Sequence, residues 1–211
     1  MRRLLVFLYA ILAGIAIALG GIVFLSVDNK VTGAIFFSVG LFVVLTQGLN
    51  LYTGKVCYVF EKDAAYAVDV IFIWVGNLAG ALLTGSLANM TRISAVIMEK
   101  AQAVSAAKLN DNLLSIFILG ILCNILIFIA VDGYNKNPHE LGKYFAVLFG
   151  VVVFIVCGFE HSVANMVYFT VAKVWSGKAL VYILVMTLGN FVGGIIFPLS
   201  RQFKTRFEAA K

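Results

Sequence analysis

Residues 158–165 read GFEHSVAN and set an acid, Glu160, beside an imidazole, His161. The flanking stretches, YFAVLFGVVVFIVC and MVYFTVA, read as membrane core, where an ionised side chain costs several kcal/mol. An imidazole with an unperturbed pKa of about 6.5 can donate a hydrogen bond to a small anion or lend it a proton. A membrane histidine can equally serve only as a hydrogen-bonder between helices; what favours a pore role is the polar break around it. Adjacent residues point to different faces. If His161 faces a pore, Glu160 does not, and is expected to hold the loop through freed backbone donors or a neighbouring asparagine.

The elements that must position such a group are membrane helices. Of 211 residues, 62% are hydrophobic and 12% charged, with a mean hydropathy of +1.02. Soluble domains hold roughly 45 to 50% apolar residues, so this is an integral membrane protein. The first apolar run, 4–25, has no small-residue cleavage site after it and is read as a first helix rather than a secretory signal. The formal charge of +6 comes from residues in short loops and tails beside apolar segments, where they set topology and meet lipid headgroups rather than nucleic acid. Cys57, Cys123 and Cys157 have no ligand spacing and are read as reduced packing residues.

Six apolar segments stand out at 4–25, 31–46, 66–87, 113–131, 144–157 and 179–199. A helix needs about 20 residues to cross the hydrocarbon, so the second and fifth are short. They run into QGLNLYTGK and GFEHSVAN and resume as VCYVF and MVYFTVA, which predicts two broken helices. The chain also repeats: GNLAG at 76–80 recurs as GNFVG at 189–193, and Gly48 answers Gly158. Three crossings per copy force the second copy to be inverted, and inverted repeats with a broken helix in each half place a substrate path at their interface. The expected organisation is one all-α channel domain, with repeat one at 4–87, a linker at 88–112, repeat two at 113–199 and a cytoplasmic tail at 200–211. The GxxxG glycines are read as packing residues, whereas Asn77 and Asn190 within them are amides that need partners. With the N-terminus inside, the inner set holds ten Lys and Arg (Arg2, Arg3, Lys55, Lys62, Lys136, Lys143, Arg201, Lys204, Arg206, Lys211) and the outer set six (Lys30, Arg92, Lys100, Lys108, Lys173, Lys178). This predicts a multi-pass protein of the inner, cytoplasmic membrane with both termini cytoplasmic.

GFEHSVANM at 158–166, NLYTG at 50–54, GNLAGA at 76–81, LGILCN at 119–124 and GNFVGG at 189–194 together resemble the formate/nitrite transporter family. The resemblance covers nearly the whole chain, from residue 4 to residue 198. It implies a homopentamer whose protomers each hold a pore of six helices in an aquaporin-like arrangement, passing small monovalent anions of weak acids, without a metal or cofactor. Carried over by position, the central histidine is His161 and the facing threonine is Thr53. The apolar constrictions fall on Phe37, Leu41, Leu51 and Phe154, although the two phenylalanines read equally well as core aromatics. Asn124 matches an asparagine near the histidine, Asn165 the one that closes the motif, and Lys108 a basic residue of the outer vestibule. Taken alone, Lys108 reads as a solvated loop residue. Gly158 opens the break, Glu160 matches the acid before the histidine, and Asn50 stands where the family often has an acid. Set beside the family, the chain is expected to lack most of the amphipathic N-terminal segment, and its link at 172–178 is short.

A small anion cannot cross apolar rings bare, because moving a charge into an effective dielectric of about 4 has an idealised cost of order 20 kcal/mol. The expectation is passage of formate, nitrite or a similar anion together with a proton, as the neutral acid at the narrowest point. It shades into anion flow where His161 is protonated. Hydrosulfide and lactate remain the alternatives within the same family. No HExxH or GxSxG motif supports an intramembrane enzyme, the paired Asn-Pro-Ala turns of water channels are absent, and a scaffold needs no polar breaks in two symmetric helices. His139, in the polar loop NKNPHE, is assigned no function.

Overall fold

The computed structural model describes residues 1–209, so Lys211, one of the ten inner basic residues, and the last residues of the expected tail lie outside the described residues. The chain is all helical there, in the order α1 (Arg2–Ser26), α2 (Lys30–Thr46), α3 (Tyr52–Lys55), the 3₁₀ segment η1 (Val56–Glu61), α4 (Ala64–Ala88), α5 (Ser94–Leu109), α6 (Leu113–Lys136), α7 (Glu140–Cys157), α8 (Ser162–Ala172) and α9 (Gly177–Ala209). Among the described residues α1, α4, α6, α7 and α9 are long and apolar enough to cross a membrane, while α2 and α8 are shorter apolar helices. The second crossing is completed past its break by α3 and η1. Asn29, Asp63 and Asn112 accept hydrogen bonds from the amides of Thr32, Tyr66 and Ser115 and start α2, α4 and α6, as short polar side chains do at helix N-termini.

Three boundaries depart from the sequence reading. The fifth crossing begins at Glu140 and reaches 18 residues, because the polar turn ELGK is helical although it carries no apolar signal. The linker is mostly the helix α5. Its glutamate and lysines interrupt the apolar pattern, so it reads as polar chain, yet it buries Ile97, Ala101 and Ser105. Lys100 fastens it by donating to the carbonyls of Phe24 and Val27 at the end of α1. The last helix runs on from 199 to Ala209. Of the cysteines, Cys57 and Cys123 are buried, but Cys157 is exposed at the end of α7, outside the core of the protomer.

The two halves follow one plan. α1 packs on α4 and α2 as α6 packs on α9 and α7, and the glycines of the repeated pentapeptide explain how closely. A Cβ at Gly80 would lie 2.2 Å from the Ile11 carbonyl oxygen, and one at Gly193 would lie 2.1 Å from that of Ile121. Only a bare backbone fits either crossing. At the end that carries the termini, buried carboxylates clamp the bundle. Asp69 of α4 takes Arg2 and Arg3 of α1, and Asp132 of α6 takes Lys136 at 2.8 Å and Arg201 of α9 at 2.7 Å.

Both breaks are built from matching bonds. Gly48 and Gly158 adopt φ of +64° and +73°, a left-handed conformation that glycine enters without a Cβ penalty. The next amides fold back, Leu49 to the Val44 carbonyl at 2.8 Å and Phe159 to that of Phe154 at 2.9 Å. The amide after each reaches the first helix of its own repeat, Asn50 to the Tyr9 carbonyl and Glu160 to the Leu119 carbonyl. Asn77 then closes the first break: its Oδ1 accepts from the Tyr52 amide at 2.8 Å, and its Nδ2 donates to the carbonyls of Ala10 and Asn50. Asn190 closes the second in the same way, accepting from the Ser162 amide at 2.9 Å and donating to the carbonyls of Gly120 and Glu160.

Removing either amide orphans three backbone groups, all buried for Asn190 and two of them buried for Asn77, each buried one at about 1–3 kcal/mol. Asn190→Ala and Asn77→Ala should each lower the thermal unfolding midpoint of the solubilised protein, and Gly193→Val should lower it further or abolish assembly. A thermal melt followed by size-exclusion chromatography measures both.

Candidate functional site: a buried histidine–threonine pair between two chambers

The second break delivers His161 to the protein's centre. It is the residue before α8, and its imidazole caps that helix: Nδ1 accepts from the Ala164 amide at 3.1 Å. A backbone N–H can only donate, so Nδ1 carries a lone pair and the neutral ring holds its hydrogen on Nε2. Nε2 lies 3.0 Å from Oγ1 of Thr53, delivered by α3 from the other break. His161 is 2% exposed and Thr53 is fully buried. The Phe154 ring stacks on the imidazole with centroids 5.5 Å apart, and Phe37 meets Phe154 edge-on at 6.0 Å.

Chambers open on either side of this pair. The far chamber, about 330 Å³, is lined by His161, Phe154, Glu160, Asn165 and Lys108, together with Phe24, Lys30, Asp111 and Tyr168 among others. The near chamber, on the side of the termini, is about 290 Å³ and is lined by Leu41, Leu51, Val44, Lys55, Tyr58, Lys62, Tyr66, Val131 and Asn135 among others. Leu51 holds the position in the first break that His161 holds in the second. The inversion therefore turns an isobutyl group to one side and an imidazole to the other. Thr53, Phe37 and Asn124 line neither chamber and belong to the closed section between or beside them.

The remaining predicted residues surround this pair. Asn124 donates to the Thr53 carbonyl at 3.0 Å and approaches Cys57 Sγ at 3.7 Å; it steadies Thr53 rather than bonding His161. Asn165 donates to Glu160 Oε2 at 2.6 Å. Lys108 is not a solvated loop residue: it sits in the last turn of α5, its side chain is 12% exposed, and its Nζ lies 2.7 Å from Glu160 Oε2. Glu160 thus turns away from the imidazole and binds α5 and α8 to the break, the orientation expected from its place beside His161. Asn50 ties its break to α1 by donating to the Val6 carbonyl at 3.2 Å.

Sequence reasoning omitted Asn77 and Asn190 from the site although it singled them out, and their matching place as the second residue of GNLAG and GNFVG was the available signal. It also counted Lys55 only for topology. Its place two residues after Thr53, on the far side of a break, was the cue to a chamber role.

Comparison with known proteins extends the geometry. The family model described as Formate/nitrite transporter matches residues 1–200. A probable formate transporter of Methanothermobacter thermautotrophicus is 32% identical over 196 residues, covering 79% of this chain and 71% of the relative. A nitrite transporter of Escherichia coli is 27% identical over 197 residues, covering 85% of this chain and 72% of the relative. Among solved structures, a pentameric formate channel with formate bound superposes with a TM-score of 0.84 at 24% identity over 98% of each chain, which supports the fold. These relatives are named for transport and not for catalysis. The six-crossing inverted repeat with two broken helices and the match along almost the whole sequence lead to one conclusion: this multi-pass membrane protein belongs to the formate/nitrite transporter family.

Proposed function

We propose that the chain passes small monovalent anions of weak acids, formate or nitrite in particular, each accompanied by a proton, through a pore in every protomer. The observation that carries the reading is the 3.0 Å contact between Thr53 Oγ1 and His161 Nε2, buried between two chambers. Formate and nitrite enter from the names of the relatives, a probable formate transporter and a nitrite transporter.

The chemistry follows from the tautomer. With Nδ1 occupied by the Ala164 amide, the neutral ring offers Nε2–H as a donor, and the Thr53 hydroxyl can rotate to donate or accept. An anion in either chamber is still hydrated. At the pair it exchanges water for these two groups, and a proton taken from hydronium in the entry chamber and returned to water in the exit chamber removes the Born cost that an ion meets in a low dielectric. A second proton on His161 would go to Nδ1 and displace the helix cap, so the geometry favours the neutral ring over the protonated version in which the bare anion flows. Leu41 and Leu51 on one side, with Phe37 and Phe154 on the other, form the apolar barriers that exclude hydrated ions. Asn124, Asn165, Glu160, Asn50 and Gly158 hold the two breaks in position. In this reading repeats one and two, at 4–87 and 113–199, are the working units, joined through 88–112 and followed by the tail at 200–211. The assembly is a homopentamer in the inner membrane with both termini cytoplasmic.

Formate flux into proteoliposomes should rise as pH falls from about 8 to about 5, because the fraction carried as neutral acid grows; a flat profile contradicts proton linkage. His161→Asn should lower that flux about tenfold or more across this pH range, in line with the loss of a buried donor. Parallel assays with nitrite, hydrosulfide and lactate rank the substrates. Native mass spectrometry should give a mass of about five 22.9 kDa chains, and a monomer mass contradicts the pentamer.

A further inference from the structure

The two chambers differ in charge. The far chamber is lined by two cations, Lys30 and Lys108, and two carboxylates, Asp111 and Glu160. Lys108 is spent on Glu160, with Nζ 2.9 and 2.7 Å from its two carboxylate oxygens. The near chamber is lined by Lys55 and Lys62 and by no carboxylate. Glu61, next to Lys62, is exposed and lines no part of it. Asp63, on the other side of Lys62, is exposed, caps α4 and lines no part of it. Asp132, next to Val131, is held by Lys136 and Arg201.

Lys55 is the critical group. It ends α3, two residues past Thr53, is half-buried, and lines the chamber together with Leu41, Leu51 and Val44. Among the described residues it makes no ion pair. Its backbone is pinned, since the Tyr66 hydroxyl donates to the Lys55 carbonyl at 2.9 Å. A half-buried lysine with three ammonium donors and no ion-pair partner among the described residues, carried on a pinned backbone at the chamber wall, attracts an anion from solution and raises its local concentration.

We propose that the near chamber is a holding site for small monovalent oxyanions, with Lys55 Nζ as its principal contact. The unequal chambers then give a lower half-saturating anion concentration from the near side than from the far side. The flux part of this inference rests on the reading of the chain as a small-anion channel; the binding part does not. A passive pore leaves the final distribution of the anion unchanged, so the asymmetry shows in half-saturation and not in accumulation.

Two measurements test it. Initial rates of radiolabelled formate entry are taken in right-side-out and inside-out membrane vesicles, and equilibrium formate binding is measured on the solubilised wild-type protein, Lys55→Met and Lys55→Arg. The wild type should half-saturate at lower formate from the near side. Lys55→Met should raise that value roughly tenfold, change the far-side value less than about twofold, and lose most equilibrium binding, while Lys55→Arg keeps both properties near wild type. Equal half-saturation from the two sides in the wild type, or unchanged near-side half-saturation and binding in Lys55→Met, overturns the proposal. A wild type that binds formate through Lys55 yet passes none overturns the channel reading while supporting the holding site. A wild type that passes formate but binds it no better than Lys55→Met does the reverse.

Discussion

A helix that stops in the middle of a membrane leaves backbone donors and acceptors where no lipid can meet them. The whole protein is organised around that constraint. Asn77 and Asn190 each answer it with one amide that accepts from the first free N–H of the resumed helix and donates to the carbonyl of the break and to a carbonyl of the neighbouring helix. With these bonds in place the two breaks can sit inside the bundle and point side chains at its centre. The glycines at 80 and 193 belong to the same solution, because the helices carrying the asparagines must approach α1 and α6 to backbone contact.

The site inherits its chemistry from the scaffold. His161 is a helix cap as well as the pore residue proposed above, and its bond to the Ala164 amide fixes which nitrogen faces Thr53. Thr53 is held in turn by Asn124, which bonds its carbonyl. Glu160, adjacent to the imidazole, is committed to Lys108 and Asn165 and so ties α5 and α8 to the break. The result is a rigid, fully buried pair of neutral hydrogen-bonding groups, suited to a guest that can shed its charge and poorly suited to one that cannot.

Much of this was legible in the sequence. The lengths of the apolar segments revealed the two broken helices, the offset between Gly48 and Gly158 revealed the repeat, and the residue type at 161 suggested the chemistry proposed for it. What escaped depended on packing that leaves no periodic trace. Helix α5 carries Glu99 and Lys100 in its middle and looks like a polar linker, yet it covers the far chamber. Lys108 and Glu160 lie 52 residues apart, and nothing in their local sequence says that each neutralises the other. The polar first turn of α7 likewise hid about a turn of helix from a reading based on apolar length.

The most direct test of the central claim, that the anion crosses the His161–Thr53 section as a neutral acid, is to count protons with formate in the same vesicles. Proteoliposomes loaded with a pH-sensitive dye and given an inward formate gradient should acidify inside in step with formate entry, about one proton for each anion, at a rate independent of membrane voltage. Formate entry that tracks voltage and leaves the internal pH unchanged would contradict the account.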